Sequence, residues 1–596
     1  MLANYERPVA NAKSLHKKNL KDPAIKKVLE ERMKEFLTLD IAQRIYIDNP
    51  DKGEGYYSPM RLVTNLHSET TPYRLTSNAS ATTSVDESLN TNMLQTPVPV
   101  LRIAQLALKN RRYKHLISFD IRKMYIQIKV AKDQQHWLRF IYLDPAQEDP
   151  IPEIWEFKKL LWVLSTASFI SQYCVMTLAD NCINDPDSSE QEKGNAYKVN
   201  KDTYADDVSR PDDDTNELIG FWFDSEKLLA KGSFPIGKAV SNSHEVLEAI
   251  PDDQKMPFDV IDGKQVSRDS SMLGYMMDWK NDLLTFAKYA TLAMEFNGSF
   301  TSVLSLVARI FDPLGLVSPF TFTARLTVRE CHRHKLKWKE QIKGLPEPTL
   351  ATFRKWLADL EKLATFSVPR HVPNNKETTY HFYSDASLDG ICAVAYARTC
   401  VNGAYDSNLV AAKCTPAAIK HSDKLTVPKL ELMSIIQAMR IYQWITGVLE
   451  VAKEKCHFYN DNVAALYWLR GDPDKQVTFV ANRTKRVQAA GITFRYVETG
   501  HNPADIGTRP AFVQDLQDPL WLKGPSHLRE AKLPPSKIDF DKFEIDKALG
   551  LKKMTTLPTT TLTAVTTKNK WPGKPLPSLE QYDTLEKAIH KYALIL

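Results

Sequence analysis

Seven acidic residues stand where their carboxylates could hold metal ions, and they form two groups along the 596-residue chain. The first group is Asp120, Asp206 and Asp207, and the second is Asp385, Glu431, Asp461 and Asp505. Hard cations such as magnesium take several oxygen ligands, so carboxylates from separate segments must converge to bind one. Two such cations can clamp the attacking and leaving oxygens of a phosphoryl transfer. The chain therefore predicts two phosphoryl-transfer sites, one that makes phosphodiester bonds and one that breaks them.

The first group needs two elements to bring its members together. Residues 114–119 are β-branched and apolar, which predicts a buried strand that ends at Asp120. Residues 198–204 precede the adjacent aspartates, and this pattern predicts a hairpin with both carboxylates at its tip. A pair of aspartates is weak evidence by itself, because the chain carries other such pairs in segments that we assign to solvated loops. The Tyr-x-Asp-Asp setting and the upstream Phe-Asp favour a metal site.

The second group lies in a segment where three strands are followed by alternating helices and strands, a pattern that predicts a mixed sheet covered by helices. The predicted elements are strands 379–384, 391–398 and 409–413, helix 429–448, strand 456–459, helix 461–469 and strand 493–497. Asp385 follows the first strand, Glu431 opens the first helix and Asp461 follows the fourth strand. Asp505 lies in a turn after the last strand, so we expect all four carboxylates at one edge of the sheet.

Composition and length place the chain among folded, multidomain proteins. It is 43% hydrophobic and 10% aromatic, and chains of this length form roughly three to five domains. The net charge is +6, from 78 Lys and Arg against 72 Asp and Glu, which neither requires nor excludes nucleic acid. The seven cysteines include no Cys-x-x-Cys pair, which argues against zinc and favours a reducing compartment. No apolar run reaches the roughly 18 residues of a membrane span, and the N-terminus lacks the apolar core of a secretion signal; we expect an intracellular protein.

Three further strings carry a resemblance to a known family. They are Val303–Ala308 with Phe311-Asp312-Pro313-Leu314-Gly315-Leu316-Val317-Ser318-Pro319, then Thr426-Val427-Pro428-Lys429-Leu430-Glu431-Leu432, then Asn502-Pro503-Ala504-Asp505. Together with Tyr-x-Asp-Asp they resemble reverse transcriptases, and the match is to the Pao/BEL class of long-terminal-repeat retrotransposons over about residues 10–525. The resemblance implies an α+β and α/β multidomain fold, with a right-hand polymerase of fingers, palm and thumb followed by a ribonuclease H-like mixed sheet with helices.

The resemblance, together with a run rich in proline and asparagine at 368–375 that is the best linker candidate, predicts a division of the chain. The expected parts are an N-terminal helical lead-in (1–50), fingers and palm (51–265), thumb and connection (266–367), a linker (368–376), a ribonuclease H-like domain (377–510) and a partly disordered C-terminal extension (511–596). Within the extension, 555–575 is rich in Pro, Thr and Lys and is expected to pack poorly, and 579–596 could approach an integrase region. The chain would be a fragment of a retroelement polyprotein.

Roles for single residues follow from the same resemblance. The first group of carboxylates would hold two Mg²⁺ or Mn²⁺ ions over a primer 3′-hydroxyl and a deoxynucleotide triphosphate. Tyr125 matches the aromatic gate that excludes a 2′-hydroxyl, with a core tyrosine on the same strand as the alternative. Arg74 matches a basic residue of the fingers that meets the triphosphate, and Lys238 matches a lysine near the pyrophosphate leaving group. Solvated side chains are the alternative for both.

The second group would use two Mg²⁺ or Mn²⁺ ions to activate water against the RNA strand of an RNA–DNA hybrid. Proteins recognise such hybrids by shape and by 2′-hydroxyl contacts. His501 has two interpretations, product release or a plain surface histidine. A local basic cluster could follow a phosphate row or form a solvated helix face; its members are Arg483, Lys485 and Arg486.

Departures from the family pattern keep a second interpretation open. Asn78 stands where the family has aspartate, Val163 where it has glycine and Ser168 where it has proline. Glycine lets a backbone approach a ligand closely, so valine favours impaired polymerisation. The alternative is a decayed or host-adopted copy that binds nucleic acid or a protein partner without polymerising. The expected partners are an RNA template, a DNA primer, an RNA–DNA hybrid and deoxynucleotide triphosphates, with no membrane and with dimerisation open. The expected location is a cytoplasmic particle, with nuclear entry also open.

Overall fold

The computed structural model describes residues 4–19, 23–50, 52, 54–64, 73–82, 87–94, 103–256, 258–261, 264–267, 271–419 and 425–533. The expectations for 555–575 and 579–596 fall outside the described residues. Among the described residues, no helix combines the length and the apolar character that a membrane span requires.

The elements run in the following order. The first part contains α1 (Glu6–Asn19), α2 (Pro23–Thr38), β1 (Ala42–Ile45), β2 (Met60–Thr64), β3 (Tyr73–Ser77), α3 (Leu89–Asn92), α4 (Ile103–Lys109), β4 (His115–Ile121), α5 (Met124–Gln127), β5 (Arg139–Tyr142), β6 (Glu153–Phe157), α6 (Ala167–Asn184), α7 (Glu190–Asp202), β7 (Thr203–Tyr204), β8 (Asp207–Asp212), α8 (Thr215–Lys231), β9 (Ile236–Ser241) and α9 (His244–Ala249). The middle part contains β10 (Phe258–Ile261), β11 (Lys264–Ser267), β12 (Ser271–Met272), β13 (Tyr275–Asp278), β14 (Leu283–Thr285), α10 (Phe300–Arg309), α11 (Ser318–Arg333), α12 (Glu347–Leu363) and β15 (Ser367–Pro369). The last part contains β16 (Thr379–Ala386), β17 (Gly390–Val401), β18 (Ala404–Pro416), α13 (Val427–Leu449), β19 (Cys456–Asn460), α14 (Val463–Arg470), α15 (Thr478–Ala489), β20 (Phe494–Tyr496), α16 (Val513–Leu516) and α17 (Pro519–Lys523).

Two small antiparallel sheets lie near the N-terminus. One has the order β1-β6-β5 and the other pairs β2 with β3. Phe36 of α2 packs edge-on against Phe140 and Phe157, so the helix closes the apolar face of the larger of these sheets.

A four-stranded antiparallel sheet in the order β7-β8-β4-β9 carries the first group of carboxylates. Phe119 of β4 packs against Phe221 and Trp222 of α8, and the ring centroids of Phe119 and Trp222 are 5.1 Å apart. Side chains of α6 and α7 complete the same apolar cluster. Because successive side chains of a strand point to opposite faces, this packing leaves Asp120 on the face away from α8.

A five-stranded sheet in the order β18-β17-β16-β19-β20 carries the second group. β16 runs antiparallel to β17 and parallel to β19, and β19 runs parallel to β20. Nearly every residue of β16 and β17 is buried, because α13 packs on one face and α11 and α17 pack against β18. Most of their side chains are apolar, as in strands that are covered on both faces, and the buried polar exceptions include His381, Ser384, Asp385 and Arg398.

The helices before the sheet belong to the same apolar core as the sheet itself. Trp356 of α12 donates its indole N–H to the Phe320 carbonyl of α11 at 2.9 Å, and Trp521 of α17 donates to the Leu316 carbonyl at 3.0 Å. The Asp359 carboxylate accepts from the Val513 backbone N–H at 2.7 Å. The helices α11 and α12 and the segment after residue 511 therefore pack together on the five-stranded sheet.

The string that begins at Phe311 is a docking turn. Asp312 is half-buried, and its Oδ1 accepts from the Tyr275 hydroxyl at 3.0 Å and from the Leu316 N–H at 2.8 Å. Gly315 has a φ of +74°, and a Cβ there would lie 1.8 Å from the Ala412 carbonyl oxygen of β18. Only glycine fits this backbone conformation at this distance, so the string holds the start of α11 against the sheet.

The predicted hairpin before the aspartate pair has a different first arm. Residues 190–202 form α7, because the Ser189 hydroxyl and the Glu192 carboxylate make a capping box that starts a helix. Only the two residues of β7 pair with β8. The helix delivers the chain to the turn that carries the aspartates.

Parts of the expected linker and of the expected C-terminal extension are built into the fold. Val368 lies in β15, which pairs with β14, and Arg370 is fully buried, so the expected linker is a packed connection. Trp521, within the expected C-terminal extension, is also fully buried. The reason in both cases is contact with distant parts of the chain, which local composition does not reveal.

Candidate active sites

The sheet topology brings three of the seven carboxylates together. Since β16 and β19 are parallel neighbours, Asp385 near the end of the first and Asp461 directly after the second reach the same edge. Glu431 comes from the start of α13. One ligand atom of each of these three residues lies within 4.8 Å of the others. In the described part of the chain, no other three acidic, histidine or cysteine side chains meet this criterion.

Polar side chains that the sequence analysis missed hold this cluster. Thr508 donates its hydroxyl to Asp385 Oδ2 at 2.7 Å. Asn460 donates to Glu431 Oε2 at 3.1 Å and to the Ser384 carbonyl at 3.0 Å. Both donors are fully buried. Asn460 directly precedes Asp461, so a search around each acid for short polar residues could have found it, whereas Thr508 has no such signal.

Burial makes the cluster electrostatically costly. Desolvation and the Asp461 charge raise the pKa of Asp385 to about 7. Desolvation and the Asp385 charge raise the pKa of Glu431 to about 9. Desolvation also raises the pKa of Asp461, against hydrogen bonds from Thr499 and Asn502. Charged groups are buried in this way only with a partner, and divalent cations with oxygen ligands fit the donor set.

Asp505 lies outside the group of three. Arg509 Nη2 donates to its Oδ1 at 2.7 Å, and the side chain is 30% exposed. Its charge nevertheless contributes to the raised pKa of Asp385, so it is close to the cluster. Of the four acids expected at this edge, three lie together and the fourth is held beside them by a salt bridge.

The first group is arranged on neighbouring strands. Asp120 of β4 lies directly opposite Asp207 of β8, and residues in this relation share one face of a sheet. Asp206 precedes Asp207 in the turn and is exposed. Desolvation, with the charges of Asp206 and Asp120, raises the pKa of Asp207 to about 7. Burial raises the pKa of Asp120, whose Oδ1 is buried with no hydrogen-bond partner among the described residues. A cation would supply the missing partner.

Lys238 reaches this site because of an irregularity in β9. The register between β4 and β9 shifts between Ser118 and Asp120, and Lys238 has a φ of +52°. A bulge of this kind re-aims a side chain. Lys238 Nζ lies 3.2 Å from Asp120 Oδ2, although the lysine side chain is 58% exposed. Lysine thus contacts the carboxylate group.

The other two residues expected to contact the nucleotide are Tyr125 and Arg74, and the structure describes the side chain of the first alone. Tyr125 lies in α5, after β4 and not on the strand as expected, but it packs against the apolar cluster that contains Phe140, as the core alternative predicted. It is half-buried, and its hydroxyl lies 3.5 Å from Ser168 Oγ. Arg74 lies in β3 opposite Val63, and its side chain is outside the described residues.

The departures from the family pattern have local structural partners. Asn90 of α3 donates to the Val163 carbonyl at 3.0 Å and accepts from the Ser165 N–H at 2.8 Å. Val163 packs beside the N-terminal apolar cluster. Asn78 accepts from the Ser80 N–H at 3.3 Å. The two hydrogen bonds of Asn90 hold the turn at 163–165 in place, with the branched side chain of Val163 within it.

The basic residues of the last part lie on or near α15. Arg483 stacks over Phe479 at 3.5 Å, and Lys485 pairs with Asp474 at 2.7 Å. His501 Nδ1 lies 3.6 Å from a Glu498 carboxylate oxygen, with its side chain 55% exposed. The guanidinium of Arg483 is therefore held by an aromatic face, and the helix presents its charge at the surface.

Residues 301–462 match the family model of the Pao retrotransposon-like RNaseH-like domain. This part of the chain is therefore similar to that family, and the expected resemblance to Pao retrotransposons is confirmed there. The match includes the docking turn and the cluster of three acids, and it begins in α10. The fold class is confirmed as well, since the chain combines helices with several sheets, of which the five-stranded one is mixed, and its C-terminal part matches a ribonuclease H-like domain. No curated protein matches the chain.

Solved structures of a foamy viral protease-reverse transcriptase are similar to the chain. The form in complex with RNA/DNA hybrid is 11% identical with a TM-score of 0.49, over 80% of this chain and 54% of that one. The dRH form in complex with ds DNA is 10% identical with a TM-score of 0.49, over 79% and 69% of the two chains. A complex with dsDNA is 10% identical with a TM-score of 0.47, over 79% and 82%. The chain thus spans about half the length of the protein in the hybrid complex.

Proposed function

We propose that the chain is a retroelement enzyme whose ribonuclease H-like domain cleaves the RNA strand of an RNA–DNA hybrid. The observation that carries this proposal is the buried cluster of Asp385, Glu431 and Asp461 within the segment that matches the family model. When bound, two Mg²⁺ or Mn²⁺ ions would stabilise the attacking and leaving oxygens. The three carboxylates would hold these ions, with Asp505 beside them.

The other residues of the domain support the carboxylates. Thr508 and Asn460 fix the orientation of Asp385 and Glu431 by hydrogen bonds, so little reorganisation is needed when cations bind. Arg483 is held over Phe479 and could contact a phosphate of the hybrid, since cations close to the backbone supply most non-specific affinity.

Cleavage of a labelled hybrid by the full chain, with magnesium or manganese, tests the nuclease. Asp461→Asn should abolish cleavage and preserve hybrid binding, because it removes a metal ligand at nearly constant volume. The exposed Glu454→Gln on the same domain is the control and should cut normally. A wild-type chain that binds hybrid but never cuts it would establish the alternative, a decayed or host-adopted copy. An Asn variant as active as wild type would show that the site is misassigned.

We also propose that the first group is an RNA-directed DNA polymerase site in a right-hand fold. The buried Oδ1 of Asp120 without a partner, opposite Asp207, favours this second activity. Asp120, Asp206 and Asp207 would hold two cations at a primer terminus, and Lys238 would neutralise charge beside Asp120. Tyr125 and Arg74 remain proposed contacts to the nucleotide sugar and triphosphate.

Primer extension on a primed RNA template with deoxynucleotide triphosphates tests this activity. Asp207→Asn should abolish extension and leave hybrid cleavage unchanged, because the residue belongs to the first site alone. Extension at the wild-type rate by this variant would remove Asp207 from the site. Dimerisation and location in a cytoplasmic particle with nuclear entry stay predictions.

A further inference from the structure

Arg111 is a buried arginine that joins the two halves of the chain. It follows α4, and its side chain reaches two distant segments, around residue 370 and in β18, by three hydrogen bonds. Nε donates to the Arg370 carbonyl at 3.0 Å, Nη2 to the Pro369 carbonyl at 3.1 Å and Nη1 to the Val410 carbonyl at 2.8 Å. Val410 is the extra residue at a register shift in β18. A bulged residue leaves the strand ladder, and here Arg111 takes its carbonyl.

Arg370 in turn donates hydrogen bonds to the segment that carries Arg111. It is fully buried and forms a two-point ion pair with Asp282, at 2.5 and 2.8 Å. The same guanidinium donates to the Tyr113 carbonyl at 2.9 Å and to the Lys114 carbonyl at 2.7 Å, as well as to that of Asn110. Each arginine therefore binds the backbone of the segment that carries the other.

The tied segments lead directly to both candidate sites. Residues 110–114 continue into β4, which bears Asp120. Arg112 in the same segment donates to the Leu449 carbonyl at 2.8 Å, at the end of α13, and Glu431 lies at the other end of that helix. Strands and helices transmit position with little bending, so a fixed contact between these segments fixes the distance between the sites.

We propose that Arg111 and Arg370 are positioning residues that hold the two carboxylate sites at one separation. This inference rests on the proposed function. A hybrid whose primer end occupies the first site would then be cut at a set distance from that end. Arginine suits the task because its planar fork carries five donors. Loss of either fork would leave buried carbonyls without partners, which is costly, so the connection would loosen.

Polymerase-positioned cleavage tests the inference in the full chain. A hybrid with a recessed DNA 3′ end should give wild-type products of one dominant length. Arg111→Lys and Arg370→Lys keep the charge but lose the fork. Their products should spread by about two nucleotides or more, since each relative displacement of the two sites by about 3.4 Å moves the cut by one nucleotide along a strand. Cleavage of a short hybrid without a primer end, which reports the nuclease alone, should be unchanged.

Arg398→Lys is the matched control. Arg398 is also buried and donates to the Leu528 and Glu530 carbonyls at 2.9 and 2.7 Å, entirely within the last part of the chain. It should leave the product length unchanged. If a lysine variant fails to fold, Arg112→Ala, which removes one hydrogen bond, takes its place. A dominant length as sharp in the positioning variants as in wild type would overturn the inference.

Hydrogen exchange separates this result from failure of the proposed function. The Val372 N–H donates to the Arg111 carbonyl at 2.7 Å and the Arg370 N–H to the Asp282 carbonyl at 2.9 Å. In the lysine variants these two amides should exchange faster than in wild type and in Arg398→Lys. A wild-type chain that does not cleave hybrid would refute the proposed function. The exchange rates of these two amides would then test by themselves whether Arg111 and Arg370 hold the two segments together. Unchanged exchange rates in the lysine variants would overturn the inference.

Discussion

Replacing Glu431 by glutamine should abolish cleavage and at the same time stabilise the metal-free protein. The folded-state pKa of Glu431 is raised to about 9, against an ordinary value of 4.5, because burial and the Asp385 charge oppose ionisation. The folded state therefore binds more protons than the unfolded state between about pH 4.5 and 9, and stability falls as pH rises across this window. Glutamine does not ionise, so the Glu431→Gln variant lacks this loss of stability with rising pH.

The size of the stability change follows from the number of pH units between the ordinary pKa of Glu431 and the working pH. Three pH units, from 4.5 to 7.5, correspond to about 4 kcal/mol at 1.36 kcal/mol for each unit. Asp385 titrates in the same cluster, so the two carboxyls share the cost. We expect Glu431→Gln to raise the free energy of unfolding by about 2 kcal/mol at pH 7.5 and by almost nothing at pH 4.

Urea unfolding at the two pH values, with and without magnesium, measures this effect. Magnesium should stabilise the wild type, because it binds only the folded cluster, and it should stabilise the glutamine variant less. Glu454→Gln, an exposed change on the same domain, is the control and should behave as wild type. A glutamine variant that is no more stable than wild type at pH 7.5, or that still cuts hybrid, would refute the assignment of Glu431 as a buried metal ligand.

Three other predictions concern packing. Gly315→Ala should destabilise the chain by more than about 2 kcal/mol, because a φ of +74° and a backbone clash act together. The control Gly403→Ala, at a φ of +80° in open space, should cost about 1 kcal/mol. Equal losses of stability in thermal unfolding of the two variants would contradict this reasoning. Val163→Gly should raise primer extension if valine crowds the template, and an unchanged or lower rate would mean that the segment is misaligned. A fragment of residues 377–528 should fold less stably by circular dichroism than residues 299–533, which retain α10 to α12; equal stability would show that these helices are dispensable.

The sequence alone determined the order of the five strands and of α13 and α14 in the last part of the chain, and the acids near their ends. Local patterns suffice there: apolar runs predict strands, and a carboxylate directly after a buried strand must lie at the sheet edge. Four acids, Asp385, Glu431, Asp461 and Asp505, were predicted to share this edge, and the structure groups the first three, with Asp505 beside them in a salt bridge to Arg509. The approach of Asp120 to Asp207 followed from the same reasoning.

Only the tertiary structure decided how these parts are held. The Thr508 contact to Asp385, the bulge that brings Lys238 to Asp120 and the burial of Arg370 join residues far apart in the chain. Arginines that bind backbone carbonyls leave no trace in the sequence of their partners, because every residue carries a carbonyl. The run of proline and asparagine at 368–375 predicted a linker, and long-range hydrogen bonds of Arg370 hold part of this segment in the core.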